Sequence, residues 1–302
     1  MPISPPDLSS SSSGVIAFPV TPFNDDLSLD LEGFRANLRG ILAHPMTAIV
    51  APGGTGEMYS LTIDEHLAVT RAAVEEAAGK VPVIAGVGFN VPIATTLARQ
   101  AAGAGASGIL AFPPYYPQAD DEGLIEYYRR IGDATSLALL VYSRDWVHPG
   151  PALVARLAAS VPTLVAWKDG QGDIRRLQAL RSEVGDRLHW IGGAGDDMVP
   201  AYYSTGIRAF TSSIANIAPQ IAVQLHQAAA EGNSAVLRPL MDDLIIPLYA
   251  MRARRRGYEV TAMKALMNLM GLAGGHVRPP LPEIAAEHLT ELRAMAAKWA
   301  AL

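Results

Sequence analysis

The chain has no cysteine among its 302 residues, so thiol chemistry is excluded and cysteine usage says nothing about the redox compartment. It has no basic tract. Against 29 acidic residues stand 24 lysines and arginines, a formal charge of -5, which argues against nucleic acid as a partner. No apolar run is long enough to span a bilayer, so no membrane partner is expected. The opening MPISPPDLSSSSS lacks the charged and apolar regions of a signal peptide and reads as a flexible Pro/Ser tail over residues 1–13. A cytoplasmic location is the expectation. The seven histidines show no H-E-x-x-H or comparable spacing, so no catalytic metal is expected. There is no G-x-x-x-x-G-K-[ST] phosphate loop. The one G-x-G-x-x-G match, Gly103 to Gly108, follows a helical segment and precedes an apolar run. That order is wrong for a dinucleotide loop and right for a helix-to-strand turn.

What the chain does have is half its residues hydrophobic, enough for a large core without metal or disulfide staples. From Gly14 a pattern recurs. Apolar runs such as GVIAF, TAIVAP, VPVIAGVG, SGILAF, LALLVYS, TLVAWK, LHWIGG and IRAFTSS alternate with segments of helical periodicity. The runs are continuous rather than alternating, as in strands covered on both faces. Eight such units across residues 14–231 predict a (β/α)8 TIM barrel. A doubly wound open sheet is the rival, but it does not call for eight similar units. Residues 232–302 read as a C-terminal helical extension of three helices. Its methionines Met263, Met267 and Met270 are assigned to packing rather than to a cofactor box.

In such a barrel, chemistry sits at the C-terminal ends of the strands. The segment Thr163-Leu-Val-Ala-Trp-Lys168-Asp-Gly-Gln-Gly-Asp173 is the most informative of those ends. An apolar strand ends in a single lysine, and a turn and a helix start follow. Taken alone, Lys168 is more simply an ordinary charge leaving the core, and Tyr142 a core tyrosine. Together, on neighbouring strands and facing one mouth, they suit a different reading. A buried lysine with a depressed pKa attacks ketones, and a phenol beside it shuttles protons. Gly53, Gly54 and Gly56 let backbone approach an anion, and Thr55 adds a hydroxyl. Asp196 and Asp197 fit a loop or the start of the next helix. The RARRR cluster at Arg252 to Arg256 reads as a solvated helix end or subunit contact.

At this point the sequence resembles the dihydrodipicolinate synthase and N-acetylneuraminate lyase family. GGTGE follows the second strand, Pro-Tyr-Tyr116 the fourth and Tyr142 the fifth, and Lys168 lies in the sixth, over a match spanning roughly residues 14 to 300. Members are tetrameric Schiff-base enzymes of 2-keto acids that need no cofactor. The resemblance implies that Lys168 forms the imine and Tyr142 serves as acid and base. It implies that Gly54 and Thr55 hold the keto acid carboxylate. It also implies a homotetramer in which Tyr116 approaches a subunit interface.

Three departures from the family pattern stand out. Gly54 replaces a hydroxyl residue, Tyr142-Ser-Arg-Asp145 replaces Y-N-x-P, and the lysine segment reads W-K-D-G-Q-G-D. Together they resemble the 5-dehydro-4-deoxyglucarate dehydratase branch, which implies a small sugar diacid as substrate. Within that resemblance Ser213 is the best partner for the distal carboxylate, and Arg144 is divided evenly between that role and a structural salt bridge. Two alternatives remain open at the level of sequence. One is an aldolase or synthase that releases or uses pyruvate through the same imine. The other is an inert barrel that binds sugar acids.

Overall fold

The computed structural model describes residues 13–302. The tail reading therefore falls outside the described residues except at exposed Ser13, whose hydroxyl donates to the Arg208 carbonyl.

Eight parallel strands close into a barrel: β1 (Gly14–Ala17), β2 (Ala48–Val50), β3 (Val83–Val87), β4 (Gly108–Ala111), β5 (Ala138–Ser143), β6 (Leu164–Asp169), β7 (His189–Gly192) and β8 (Ala209–Ser212). The ring is completed by β1 against β8, with Gly14 opposite Ala209 and Ala17 opposite Ser212. The expected TIM barrel is the observed fold. Every strand residue except His189 is buried, because both faces are covered. The inner face carries modest side chains that fill the lumen, including Ala48, Ala138, Ala166 and Ala209 against Ile84, Leu110 and Leu140.

Each strand is followed by a helix: α1 (Leu31–Leu42), α2 (Ile63–Ala77), α3 (Val91–Ala104), α4 (Asp121–Gly132), α5 (Pro151–Ser160), α6 (Ile174–Val184), α7 (Val199–Ser204) and α8 (Pro219–Glu231). Local chemistry fixes where they begin. Asp30, Asn90, Asp120 and Asp173 each accept a backbone N–H in the first turn of the following helix. Thr62 and Glu65 form a reciprocal capping box on α2. The G-x-G-x-x-G match is the expected turn, with Gly105 capping α3 in the left-handed region at φ 89° and Gly108 opening β4.

The extension departs from the expectation in one respect. Its first helix, expected as a single run from Ser234, is divided into α9 (Ser234–Leu240), a π-helical turn (Met241–Ile245) and α10 (Ile246–Ala253). Pro239 lies within α9 and Pro247 at the start of α10, and neither supplies a backbone N–H. The carbonyl that Pro247 leaves without its helical donor is that of Asp243, which instead accepts the Lys298 ammonium at 2.7 Å. Two further helices follow, α11 (Tyr258–Leu269) and α12 (Ala286–Ala300). Met263, Leu266 and Met267 are fully buried, at about 1.5–3 kcal/mol each from burial. Met263 and Met267 are packing positions, as expected, while Met270 is only partly buried.

Candidate active site

The C-terminal strand ends open into a cavity of about 540 Å³. That lies within the range usual for small-molecule sites. Its lining draws on β1, β2, β5, β6, β7, β8 and their loops, and also on the C-terminal extension.

Lys168 sits at its floor, only 3% exposed. Across the parallel β5–β6 pair it is in register with Tyr142, so both side chains project to the same side. The Lys168 Nζ lies 3.2 Å from the Tyr142 ring centroid and donates to the Gly193 carbonyl at 3.0 Å. Burial pushes the Lys168 pKa well below its ordinary value, and the Arg144 charge pushes in the same direction; Asp169 opposes both. A lysine held this way gives up its proton more readily than an exposed one, and the free amine is the form that attacks a carbonyl. Burial raises the Tyr142 phenol above its ordinary value, with Arg144 pulling the other way. The phenol therefore stays protonated and can donate.

Two glycines make this geometry possible. A Cβ at Gly193 would lie 2.5 Å from Lys168 Cγ and 2.7 Å from Nζ. A Cβ at Gly170 would run into the Tyr142 ring. The rest of the K-D-G-Q-G-D motif is structural. Asp169 accepts from the Tyr202 hydroxyl at 2.8 Å and from the Gly172 amide at 3.1 Å, and Asp173 caps α6. Gly172 takes φ 70°, which a side chain disfavours.

The GGTGE loop follows β2. Gly54 and Thr55 both line the cavity. Neither the amide nor the hydroxyl of Thr55 has a partner among the described residues, which leaves both available to an anion. The loop is held from behind. The Thr21 hydroxyl donates to the Gly56 carbonyl at 2.7 Å, and a Cβ at Gly53 would press on the Phe18 ring. Gly54 differs from these. A Cβ there would meet only Arg144 Nη1 at 3.5 Å and the Phe112 ring at 3.7 Å, which is ordinary contact. Backbone geometry therefore does not require glycine at this position.

Arg144 lines the cavity and is also a salt-bridge residue. It lies 5.4 Å over the Tyr142 ring, and its Nε meets Asp145 at 2.7 Å. Ser213 is buried at the end of β8. Its hydroxyl donates to Asp196 Oδ2 at 3.3 Å and accepts from Arg252 Nη1 at 3.0 Å. Tyr116 is not brought to the cavity of this chain; it is 73% exposed and packs edge-on against Tyr115.

Sequence reasoning missed the contribution of the extension. The sequence reading places Arg252 with its neighbours at a solvated helix end or subunit contact. Only Arg254 to Arg256 follow that reading, because α10 ends at Ala253 and they lie beyond it. Arg252, still on the helix, faces the cavity over the Tyr249 ring at 4.3 Å. Asp196 does open the 3-10 turn before α7, as expected, yet it is fully buried and does more than start a helix. Its backbone amide donates to the Tyr249 hydroxyl at 2.7 Å, and that hydroxyl donates to Asp196 Oδ2 at 2.9 Å. Tyr249 and Arg252, three residues apart and so on one face of a helix, are the only hint the sequence held.

The sequence model of the dihydrodipicolinate synthetase family matches residues 11–298. The chain belongs to that family. It is 37% identical over 292 residues to a protein of Bradyrhizobium diazoefficiens named probable 5-dehydro-4-deoxyglucarate dehydratase, covering 96% of this chain and 93% of that one. A Rhodococcus opacus protein of the same name is 38% identical over 282 residues, covering 93% of both. Among solved structures, dihydrodipicolinate synthase from Oceanobacillus iheyensis superposes with a TM-score of 0.92 at 28% identity, covering 99% of this chain and all of the other. The match takes in the C-terminal helices as well as the barrel, so α10 and α11 belong to the family fold.

Proposed function

We propose that this family member is a decarboxylating 5-dehydro-4-deoxyglucarate dehydratase, acting through an imine on Lys168. The observation that carries the imine chemistry is the buried Lys168 amine over the Tyr142 ring, with its pKa depressed. The choice of substrate draws on the names of its relatives and on Gly54, where the open space beside Arg144 replaces a hydroxyl.

The steps balance without an added electron carrier. Lys168 condenses with the ketone and releases water. The iminium acidifies the neighbouring CH₂, and Tyr142, left as the phenolate after giving its proton to the water that departs on condensation, is assigned to removing a proton there. The enamine expels the adjacent hydroxyl as a second water. The conjugated iminium then accepts the electron pair of the bond to the distal carboxylate, which leaves as CO₂. Protonation and hydrolysis consume one water and release 2,5-dioxopentanoate and the free lysine. Gly54 and Thr55 are assigned to the carboxylate beside the ketone, and Ser213 to the wall at the distal end, where its hydroxyl is already shared between Asp196 and Arg252. Arg144, already paired with Asp145, is assigned to holding the Tyr142 face of the cavity.

The assay that tests this supplies the purified protein with the keto-deoxy diacid and follows CO₂, 2,5-dioxopentanoate and pyruvate. Equal yields of CO₂ and 2,5-dioxopentanoate are expected. Pyruvate without CO₂ would assign the enzyme to the aldolases and leave the Lys168 imine in place. Ligand binding without turnover of any 2-keto acid would favour the inert barrel. We also propose a cytoplasmic homotetramer, with exposed Tyr115 and Tyr116 at a contact between copies. Light scattering at the 32.0 kDa mass of a single chain would contradict it.

A further inference from the structure

Two arginines face the cavity, and they differ in how much of their bonding capacity the protein already uses. Arg144 gives its Nε, at 2.7 Å, and more distantly its Nη2, at 3.5 Å, to the Asp145 carboxylate. Arg252 gives one N–H, from Nη1, to the Ser213 hydroxyl. A guanidinium has five N–H donors in a planar fork. No ion pair joins Arg252 to any carboxylate among the described residues, and its buried Nε has no acceptor there. A cation in this condition, at the wall of a cavity, has donors to spare for an anion.

Its surroundings are built to hold it still. The guanidinium lies 4.3 Å over the Tyr249 ring. Tyr249 is itself fixed by two hydrogen bonds with Asp196, and Asp196 also accepts the Ser213 amide at 3.2 Å and the Ser213 hydroxyl at 3.3 Å. The Ser213 hydroxyl thus donates its proton to Asp196 and turns a lone pair to Arg252. Asp197, on the same turn, interacts with Arg252 electrostatically without an ion pair, which moderates the charge but leaves the donors unused.

Position in the barrel says what the anion is. Strand order runs β5, β6, β7, β8 around the ring, so Lys168 on β6 stands between Tyr142 on β5 and the Ser213–Arg252 wall beyond β8. The GGTGE loop, on β2, lies across the mouth. Gly54, Thr55, Lys168 and Arg252 line one cavity, so with a keto acid's first carboxylate at the loop and its carbonyl at Lys168, the unused donors of Arg252 are open to its far end. We infer that Arg252 is the specificity-determining residue for the distal carboxylate, so that the site selects six-carbon diacids over monoacids of equal length. This rests on the Lys168 imine assigned above. A cation on a carboxylate that must leave as CO₂ favours the bound state and not the departure, so the test reads binding rather than turnover.

The test measures half-saturation of borohydride trapping at Lys168 with 2-oxoadipate and with 2-oxohexanoate. These have the same chain length and differ in the distal carboxylate. The parent is expected to favour the diacid by about tenfold to a hundredfold, the scale of one or two charge-assisted hydrogen bonds. Arg252→Gln should abolish the preference and leave half-saturation by 2-oxohexanoate within about twofold, which also certifies the fold. Arg252→Lys, which keeps charge and stem, should retain part of the preference, and it stands in if the glutamine variant does not fold. A preference that survives Arg252→Gln, an equal loss with both acids, or no preference in the parent overturns the assignment. A parent that traps neither acid overturns the imine and this assignment together. A parent that prefers the diacid yet does not dehydrate the deoxy-keto substrate overturns only the dehydratase reading.

Discussion

Lys264 of α11 and Glu57 of the GGTGE loop form an ion pair at 2.5 Å, with both side chains 1% exposed. The lysine also donates to the His276 carbonyl at 2.5 Å, and the other Glu57 oxygen accepts the Arg278 amide at 3.0 Å. Glu57 itself sits in the left-handed region at φ 51°. The last residue of the loop motif is therefore a clasp between barrel and extension, and the loop offers Thr55 to the cavity because its end is tied down.

Removing one partner leaves a buried charge without compensation. Lys264→Met should cost about 3–5 kcal/mol of stability, and Lys264→Met with Glu57→Gln together should recover much of it. Denaturant titration of both variants, with KM for the diacid, checks this. A single variant as stable as the parent would show that the clasp contributes nothing.

The glycines give a paired prediction. Gly193→Ala places a methyl 2.5 Å from Lys168 Cγ, so the lysine must move. A fall in kcat/KM of about 100-fold or more is expected, since small misplacements of reacting groups cost that much. Gly54→Ala places its methyl 3.5 Å from Arg144 Nη1 and should leave imine trapping within a few-fold. Steady-state kinetics of the two variants side by side decides. Equal losses would mean that Gly54 is required by geometry after all.

The contrast between these positions shows what the sequence could convey. Lys168 and Tyr142 were legible because each ends a continuous apolar run, and parallel neighbours set their register at 142 opposite 168. The eight units and most helix starts were legible for the same local reason. Arg252 was not. Its role depends on α10 lending a side to the cavity, and nothing local separates it from Arg254 to Arg256 except the place where the helix ends. Asp196 was half legible, since a carboxylate before a helix explains itself without a site. The division of the first C-terminal helix follows from Pro239 and Pro247, which interrupt a segment whose apolar periodicity is otherwise continuous.

Tyr142→Phe separates binding from proton transfer. The ring still covers Lys168, because the 3.2 Å contact is to the ring centroid and not to the hydroxyl. Borohydride should still trap an adduct on Lys168, while kcat falls by about 10²–10⁴, the range for a lost general acid or base. Loss of trapping itself would move Tyr142 from proton transfer to imine formation. Full retention of kcat would remove it from the chemistry.

The Lys168 pKa has consequences for both activity and stability. Its folded value lies well below 10.5 because burial disfavours the charged form. As pH rises through the folded value, the free amine accumulates, so the rate of imine formation should climb and then level off. The stability effect has the same sign. Between the folded value and 10.5 the unfolded chain holds a proton at this position that the folded chain has released, so stability rises with pH across that window. Above 10.5 both states are neutral and the penalty is gone, whereas below the folded pKa it is constant and complete. Lys168→Met has no such term. It should abolish trapping and turnover yet be more stable than the parent at neutral pH, by a margin that narrows as pH approaches 10.5. Denaturation midpoints of the two proteins at pH 6, 8 and 10 provide the measurement. A margin that stayed flat or widened with pH would mean that Lys168 is protonated in the folded enzyme, and the nucleophile would then have to be sought elsewhere.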